Sequence, residues 1–256
     1  MLSFICLTTF DGLSHAQVVS GGTCAIVHRN HLGIFVGIDS KVTNTGDLPP
    51  SGPECKIGIR NGVIFFGEGS VRAKPIYDGY DIASSEISYR LPLNAIVTSF
   101  INRVQGLSGP LSQARKANPQ FFDSSFVDSK LFDFTFIKHE QDSIYFALCE
   151  FKYDISPSSD LVIYRRITFG ADVPNPTMLY GEVDAIKQAM RDAKTNTLGK
   201  ARTVFEVGIE IERLINLQST QTPVHVGGPI QIIWMRADGQ ISWLKNSLPC
   251  NPIIDQ

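Results

Sequence analysis

The sequence predicts an α+β fold, a four-layer αββα sandwich of two antiparallel sheets flanked by helix pairs. Three observations lead there. Short β-branched apolar runs come in groups joined by turn residues. Helix-periodic runs come in pairs between those groups. The alternation of single strands with single helices that builds a doubly wound parallel sheet is absent. With 256 residues, 43% hydrophobic and 19% charged, the chain has the apolar content for one large core. This composition excludes a disordered chain, a collagen and a coiled coil.

The elements follow in order. TCAIVH and GIFVGI, separated by the polar HRNHLG turn, read as a first hairpin. KIGIR and VIFF, separated by Asn61-Gly62, read as a second, because Asn-Gly supplies the positive φ angles that a two-residue hairpin turn needs. Residues 76–91 and 93–104 are the first helix pair, and residues 118–130 read as a loop. Three strands follow, LFDFTFIKH, SIYFALCEFKYD and LVIYRRITF, and then helices over 179–193 and 200–217. The last helix carries Val204, Val207, Ile211, Leu214 and Ile215 along one stripe. PIQIIWM and QISWL, joined by Ala237-Asp238-Gly239, close the chain as a hairpin that sets Trp234 against Trp243 as packing residues.

Several function classes are excluded. A net charge of −2 provides no basic field for nucleic acid. No apolar run reaches the ~20 residues of a membrane-spanning helix. The cysteines, at 6, 24, 55, 149 and 250, form no CxxC pair, against a zinc ribbon or redox dithiol; one disulfide could form on export. His28 and His31 are expected to splay into solvent from a hairpin turn without a third ligand, so no metal is expected, and no cofactor. Residues 1–22 read as a leader and 23–256 as a single domain. The apolar MLSFICLTTF and the small-x-small Ser14-His15-Ala16 fit a weak export signal, but no Lys or Arg precedes the run. Localisation therefore stays open between export and the cytoplasm.

Chemistry concentrates in residues 22–70. Thr23 opens the first strand after Gly22. Asp39 closes the second, Lys56 opens the third, and Phe66-Gly67-Glu68-Gly69-Ser70 ends the fourth. A threonine hydroxyl needs an adjacent base to act as a nucleophile. Scission ahead of Thr23 would supply one, since a free α-amine has a pKa of about 7.7–8.0. A lysine beside the pair biases its proton affinities, an aspartate holds that lysine charged, and amides of a glycine turn can approach an oxyanion. Cys24 is the rival nucleophile. Strand alternation allows only one of the two side chains to face Lys56, and Thr23 is the favoured one.

This order and spacing resembles the proteasome β-type family of N-terminal-nucleophile hydrolases. The resemblance covers the strand layout of nearly the whole chain. It implies autocatalytic cleavage of the Gly22-Thr23 bond, with Thr23 as nucleophile and, through its amine, as base. Asp39, sixteen residues on, and Lys56, after one inserted residue, take the family's catalytic aspartate and lysine. Gly67 and Gly69 take the oxyanion turn, and Thr43, ending Asp39-Ser40-Lys41-Val42-Thr43, the contact to substrate backbone. The expected activity is a threonine-type endopeptidase or amidohydrolase acting on a peptide or amide substrate. Assembly as a homo-oligomer is implied by the resemblance.

Three departures accompany it. Cys55 stands where strict counting places the lysine, with Lys41 as a substitute cation. The middle-strand serine motif has only Thr168-Phe169-Gly170-Ala171-Asp172 as its counterpart. The late Asp-x-x-Ser-Gly element falls on Val224-His225-Val226-Gly227-Gly228 without its aspartate or serine, and His225 reads as a surface or core-edge histidine ahead of the alternative that it supplies a polar group there. These departures keep a second class open, a catalytically silent proteasome-like binding or scaffold protein. A conjugated-amide acylase is a third reading.

Overall fold

A computed structural model describes residues 17–21, 23–42, 53–156, 160–170, 177–192, 197–246 and 248. The fold is α+β, with two antiparallel sheets. One sheet runs β1 (Gln17–Gly21), β5 (Val63–Lys74), β7 (Lys130–Glu140), β8 (Ser143–Ile155), β9 (Leu161–Gly170); β4 (Ile57–Arg60) and β6 (Tyr77–Asp78) also pair with β5. The other runs β10 (Thr177–Gly181), β2 (Cys24–Asn30), β3 (Gly33–Asp39), β11 (Ile230–Arg236), β12 (Ile241–Asn246). Four helices, α1 (Gly79–Glu86), α2 (Leu93–Gln105), α3 (Ser108–Ala117) and α4 (Pro119–Ser125), lie between β6 and β7, and two, α5 (Asp184–Arg191) and α6 (Val204–Gln221), between β10 and β11. No described helix is long and apolar enough to cross a membrane.

The strands sort their side chains by alternation into three apolar clusters. Phe65, Phe132, Phe134 and Phe136 of the larger sheet pack with Ile96 and Phe100 of α2 and with Leu111 of α3. Ile64 and Phe66, facing the other way from β5, meet Ala25, Val27, Val36 and Ile38 of the second sheet. Cys24, Ile26, Phe35 and Ile232 pack with Ile186 of α5 and with Val207, Ile211 and Leu214 of α6. All seven residues of β3 are buried, which is why GIFVGI reads as an unbroken apolar run. A Cβ on Gly37 would stand 2.1 Å from the Ile211 side chain, so glycine there lets α6 lie close on β3. The start of α6 is set by a capping box between Thr203 and Glu206.

Several expectations are met and others corrected. Asn61 and Gly62 turn the second hairpin at φ 48° and 75°. Residues 118–130, expected as loop, contain α4 and a 3₁₀ turn. Pro119 sits at its first helical position, where no N–H is needed, and Phe122 and Phe126 bury against each other at 4.6 Å. The helix expected over 179–193 begins only at Asp184, because residues 177–181 form β10 and pair with β2. Trp234 and Trp243 are not opposed. A register shift pairs Ile233 with Trp243 and Trp234 with Ser242, so Trp234 packs toward α6 and Trp243 between the sheets. His28, expected in solvent, is buried and its Nδ1 meets Thr177 Oγ1 at 2.9 Å; His31 is exposed. Residues 17–21, expected as leader outside the core, form edge strand β1.

Candidate active site

Thr23 is the residue immediately ahead of β2, and it is buried. Its Oγ1 accepts a hydrogen bond from Lys56 Nζ at 3.3 Å. The same ammonium lies 3.1 Å from Asp39 Oδ1. Asp39, the last residue of β3, is 0% exposed. It also accepts from the N–H groups of Cys24 at 2.9 Å, Lys41 at 3.2 Å and Gly227 at 3.1 Å. Four donors around one carboxylate meet the requirement that a buried charge be paired and hydrogen-bonded. Burial pushes the Asp39 carboxyl up, and Lys56 with the Cys24 and Gly227 amides opposes it. Burial pulls Lys56 down from the ordinary lysine value, and Asp39 opposes that.

The one-residue insertion does not turn Lys56 to the wrong face. The strand starts at Ile57, and residues 53–56 carry no strand pairing, so the extra residue is absorbed before alternation begins. Backbone tethers fix the result: Glu54 N–H donates to Ser40 O at 3.0 Å, Lys56 N–H donates to Gln231 Oε1 at 2.9 Å, and Tyr80 Oη donates to Lys56 O at 2.9 Å. Lys41 does not substitute for Lys56, because its Nζ donates to Pro223 O.

A cleft opens on this group, lined by Thr23, Lys56, Gly67, Gly69, Arg72 and Tyr80 among others. Gly67 N–H is already engaged, donating to Tyr80 Oη at 3.3 Å. Of the two glycines expected to serve an oxyanion, this leaves Gly69, which turns at φ +86°. The Arg72 guanidinium pairs with Asp78 at 2.9 Å and lies 4.8 Å above the Tyr80 ring. The segment just before Thr23 lies along the same strand: β1 pairs antiparallel with β5, Gln17 opposite Lys74 and Gly21 opposite Gly69.

Cys24 faces away from the cleft, into the cluster under α5 and α6. Burial, reinforced by Asp39, pushes its thiol well above the ordinary range, which disfavours the thiolate. Cys24→Ala is expected to leave chemistry at Thr23 unchanged while costing about 1 kcal/mol of stability, read from paired activity assays and denaturant melts.

The late glycine segment takes part through its backbone. Gly227 N–H reaches Asp39, and Lys41 N–H donates to Gly227 O at 3.0 Å. Gly228, at φ +73°, sits where a Cβ would approach Ser40 Oγ to 2.8 Å. His225 is exposed and supplies nothing to the buried group. Thr168 and Gly170 lie on β9, three strands from β5. Gly22, Thr43, Ala171 and Asp172 lie outside the described residues, as does the leader up to residue 16.

Sequence reasoning missed Gly181 and Glu182. Glu182 N–H donates to Thr23 O at 2.9 Å, which fixes the carbonyl side of the candidate nucleophile. Gly181, at φ +76°, passes so near that a Cβ would stand 1.6 Å from that oxygen. Glu68, whose carboxyl burial pushes up, accepts from the Gly181 amide and from Lys130 at 3.2 Å, joining this turn to the glycine turn of β5. The available signal was a glycine inside a run assigned to helix. Gly181→Ala is expected to displace Thr23, lowering the melting temperature and suppressing chemistry at Thr23 together, as calorimetry and mass spectrometry would report.

Among the described residues no cluster of side chains could hold a metal ion. No family model matches the chain, and no curated protein matches it.

Proposed function

We propose that this chain is a self-processing amide hydrolase of the threonine type, whose first substrate is its own Gly22-Thr23 bond and whose later substrates are peptides or other amides. The observation that carries the reading is the buried line Thr23 Oγ1, Lys56 Nζ, Asp39 Oδ1, with steps of 3.3 and 3.1 Å. The three apolar clusters support the four-layer arrangement of N-terminal-nucleophile hydrolases. The β1–β5 pairing supports it as well, since it lays the residues ahead of the scissile bond along the cleft.

The steps balance without a cofactor. Neutral Lys56 takes the hydroxyl proton, and Thr23 Oγ attacks the Gly22 carbonyl carbon, with the Gly69 amide assigned as donor to the developing oxyanion. The C–N bond breaks, the proton passes to the departing nitrogen, and an ester joins Gly22 to the threonine side chain. Water then cleaves the ester, releasing the Gly22 carboxylate and a free α-amine on Thr23. In later turnovers that amine accepts the hydroxyl proton.

The test is intact mass and N-terminal sequencing of the purified full chain held at pH 8. A new N-terminus at Thr23 is the expected result; indefinite retention of the residues ahead of it would instead favour a silent binding or scaffold protein. The pH dependence follows from the two bases. Because burial lowers the Lys56 pKa, its neutral form is populated at lower pH than in an ordinary lysine. Scission is therefore expected to accelerate as pH rises, with a midpoint below 10.5. Turnover by processed chain should rise around the α-amine value of about 7.7–8.0. Time courses of both reactions across a pH series check the two midpoints.

A further inference from the structure

A second cavity, of about 240 Å³, lies at the far end of the strand pair that begins beside Thr23. β2 and β10 pair from Gly181 opposite Cys24 to Thr177 opposite His28, and both members of that last pair line the cavity. His28 stands five residues beyond Thr23, about 17 Å along a strand that rises ~3.4 Å per residue. None of the cavity's described lining residues belongs to the cleft at Thr23.

The lining is rich in hydrogen-bond donors. The end of β2 and its turn contribute Arg29, Asn30 and His31, and the segment ahead of α6 contributes Arg202. Asn30 Oδ1 is taken by Leu32 N–H at 2.9 Å, so the side-chain amide has its NH2 left to offer. His28 is buried, and its Nδ1 meets Thr177 Oγ1 at 2.9 Å, which fixes that wall. Among the described lining residues there is no Asp or Glu, in a chain whose net charge is −2. Glu206, four residues beyond Arg202, is committed elsewhere. Its carboxylate accepts from the backbone N–H groups of Arg202 at 2.7 Å and Thr203 at 3.1 Å, where it caps α6.

Two guanidinium groups with an amide donor call for an acceptor-rich anion, and the planar fork of arginine matches phosphate oxygens. Met190, Leu198 and Ala201 supply an apolar wall that a bare anion would leave uncovered. A cavity of about 150 Å³ accommodates a benzene ring, so this one has room for a phosphate group with a compact organic body. We propose that this cavity is a binding site for a small phosphate monoester, held through its phosphate by Arg29 and Arg202 and through its organic part by the Met190–Leu198 wall. The site is separate from the cleft at Thr23 and does not depend on the hydrolase reading.

The experiment is calorimetric titration of the full chain at low ionic strength, where exposed charges are least screened. The probes are phenyl phosphate, inorganic phosphate, benzoate and phenol. Phenyl phosphate should bind most tightly and inorganic phosphate more weakly, with phenol undetected. Benzoate binding as tightly as phenyl phosphate overturns the choice of phosphate. Inorganic phosphate binding as tightly overturns the role of the apolar wall. Absence of binding by either phosphate overturns the site.

Arg29→Ala and Arg202→Ala should each weaken phenyl phosphate about tenfold or more, the scale of a charge-assisted hydrogen bond. Arg202 is exposed, so its loss should leave folding intact. A further variant covers the case in which Arg29→Ala fails to fold. A Cβ on Gly199, which also lines the cavity, meets nothing within 4 Å. Gly199→Glu should therefore fold and should abolish phosphate binding by placing a like charge there. Unchanged affinity in Arg202→Ala and Gly199→Glu overturns the proposal. Thr23→Ala should bind phenyl phosphate as the wild type does; loss of binding in that variant would put the ligand in the cleft and overturn it too. Because binding is read without turnover, a chain that never cuts itself yet binds phenyl phosphate through Arg202 keeps this site while the hydrolase reading fails.

Discussion

Thr23→Ala is expected to leave the chain uncut and to abolish amide hydrolysis, with a loss of at least about a thousandfold, the scale on which removing a nucleophile acts. The substitution removes one hydroxyl and leaves the Lys56–Asp39 pair at 3.1 Å without disturbance, so folding should survive and the loss can be assigned to chemistry. Thr23→Ser keeps the hydroxyl and should keep scission. Intact mass of the three chains, with a threonine-directed electrophile as a second probe, reads the outcome. Scission of Thr23→Ala between positions 22 and 23 would place the nucleophile elsewhere. Cys24 is poorly placed to take over, since its side chain lies in the cluster beneath α6.

Lys56→Met should act on both activity and stability. It strands a carboxylate that is 0% exposed, and breaking a buried pair from one side costs about 3–5 kcal/mol. The remaining amides of Cys24, Lys41 and Gly227 compensate in part. The pH dependence has a definite sign. Burial already raises the Asp39 carboxyl, and Lys56 is the leading influence that lowers it. Without the lysine the folded pKa rises further above the unfolded value. Between those two values the folded chain binds more protons than the unfolded one. The variant should therefore keep most of its stability below the unfolded carboxylate pKa and lose it as pH rises through the folded one. Denaturant melts of wild type and variant at pH 5 and pH 8 measure this. Equal losses at both would mean that Asp39 remains ionised with its amides alone. Scission should fall with the lysine at either pH.

The two substitutions depend on different kinds of legibility. Thr23, Asp39 and Lys56 could be named because their order and spacing carry the family resemblance, and each could be placed at a strand end because strand ends follow apolar runs and turn residues. Hairpin turns such as Asn61-Gly62 were readable for the same local reason. Contacts between distant segments were not. Gly181 and Glu182 reach Thr23 only because β10 pairs with β2 across a long separation, and Leu179 and Tyr180 suit a helix as well as a strand. Tyr80 takes the Gly67 amide from a helix that lies behind β5. The aid of Gly227 to Asp39 leaves no trace in side-chain identity, because the donor is a backbone N–H.

What the sequence determined by itself is the α+β class, the two antiparallel groups of strands, the apolar stripe of α6 and the candidate nucleophile, cation and carboxylate. The class, the strand groups and the stripe rest on periodicity and turn chemistry, which act over a few residues; the three candidate site residues rest on the order and spacing that carry the family resemblance. Tertiary structure alone decided that Lys56 Nζ reaches Thr23 and Asp39 despite the insertion before it, that Cys24 turns inward, that Gly67 is occupied and that residues 17–21 pair with β5. Each of these depends on which surfaces meet after the sheets stack, and burial, unlike periodicity, is a property of the whole chain.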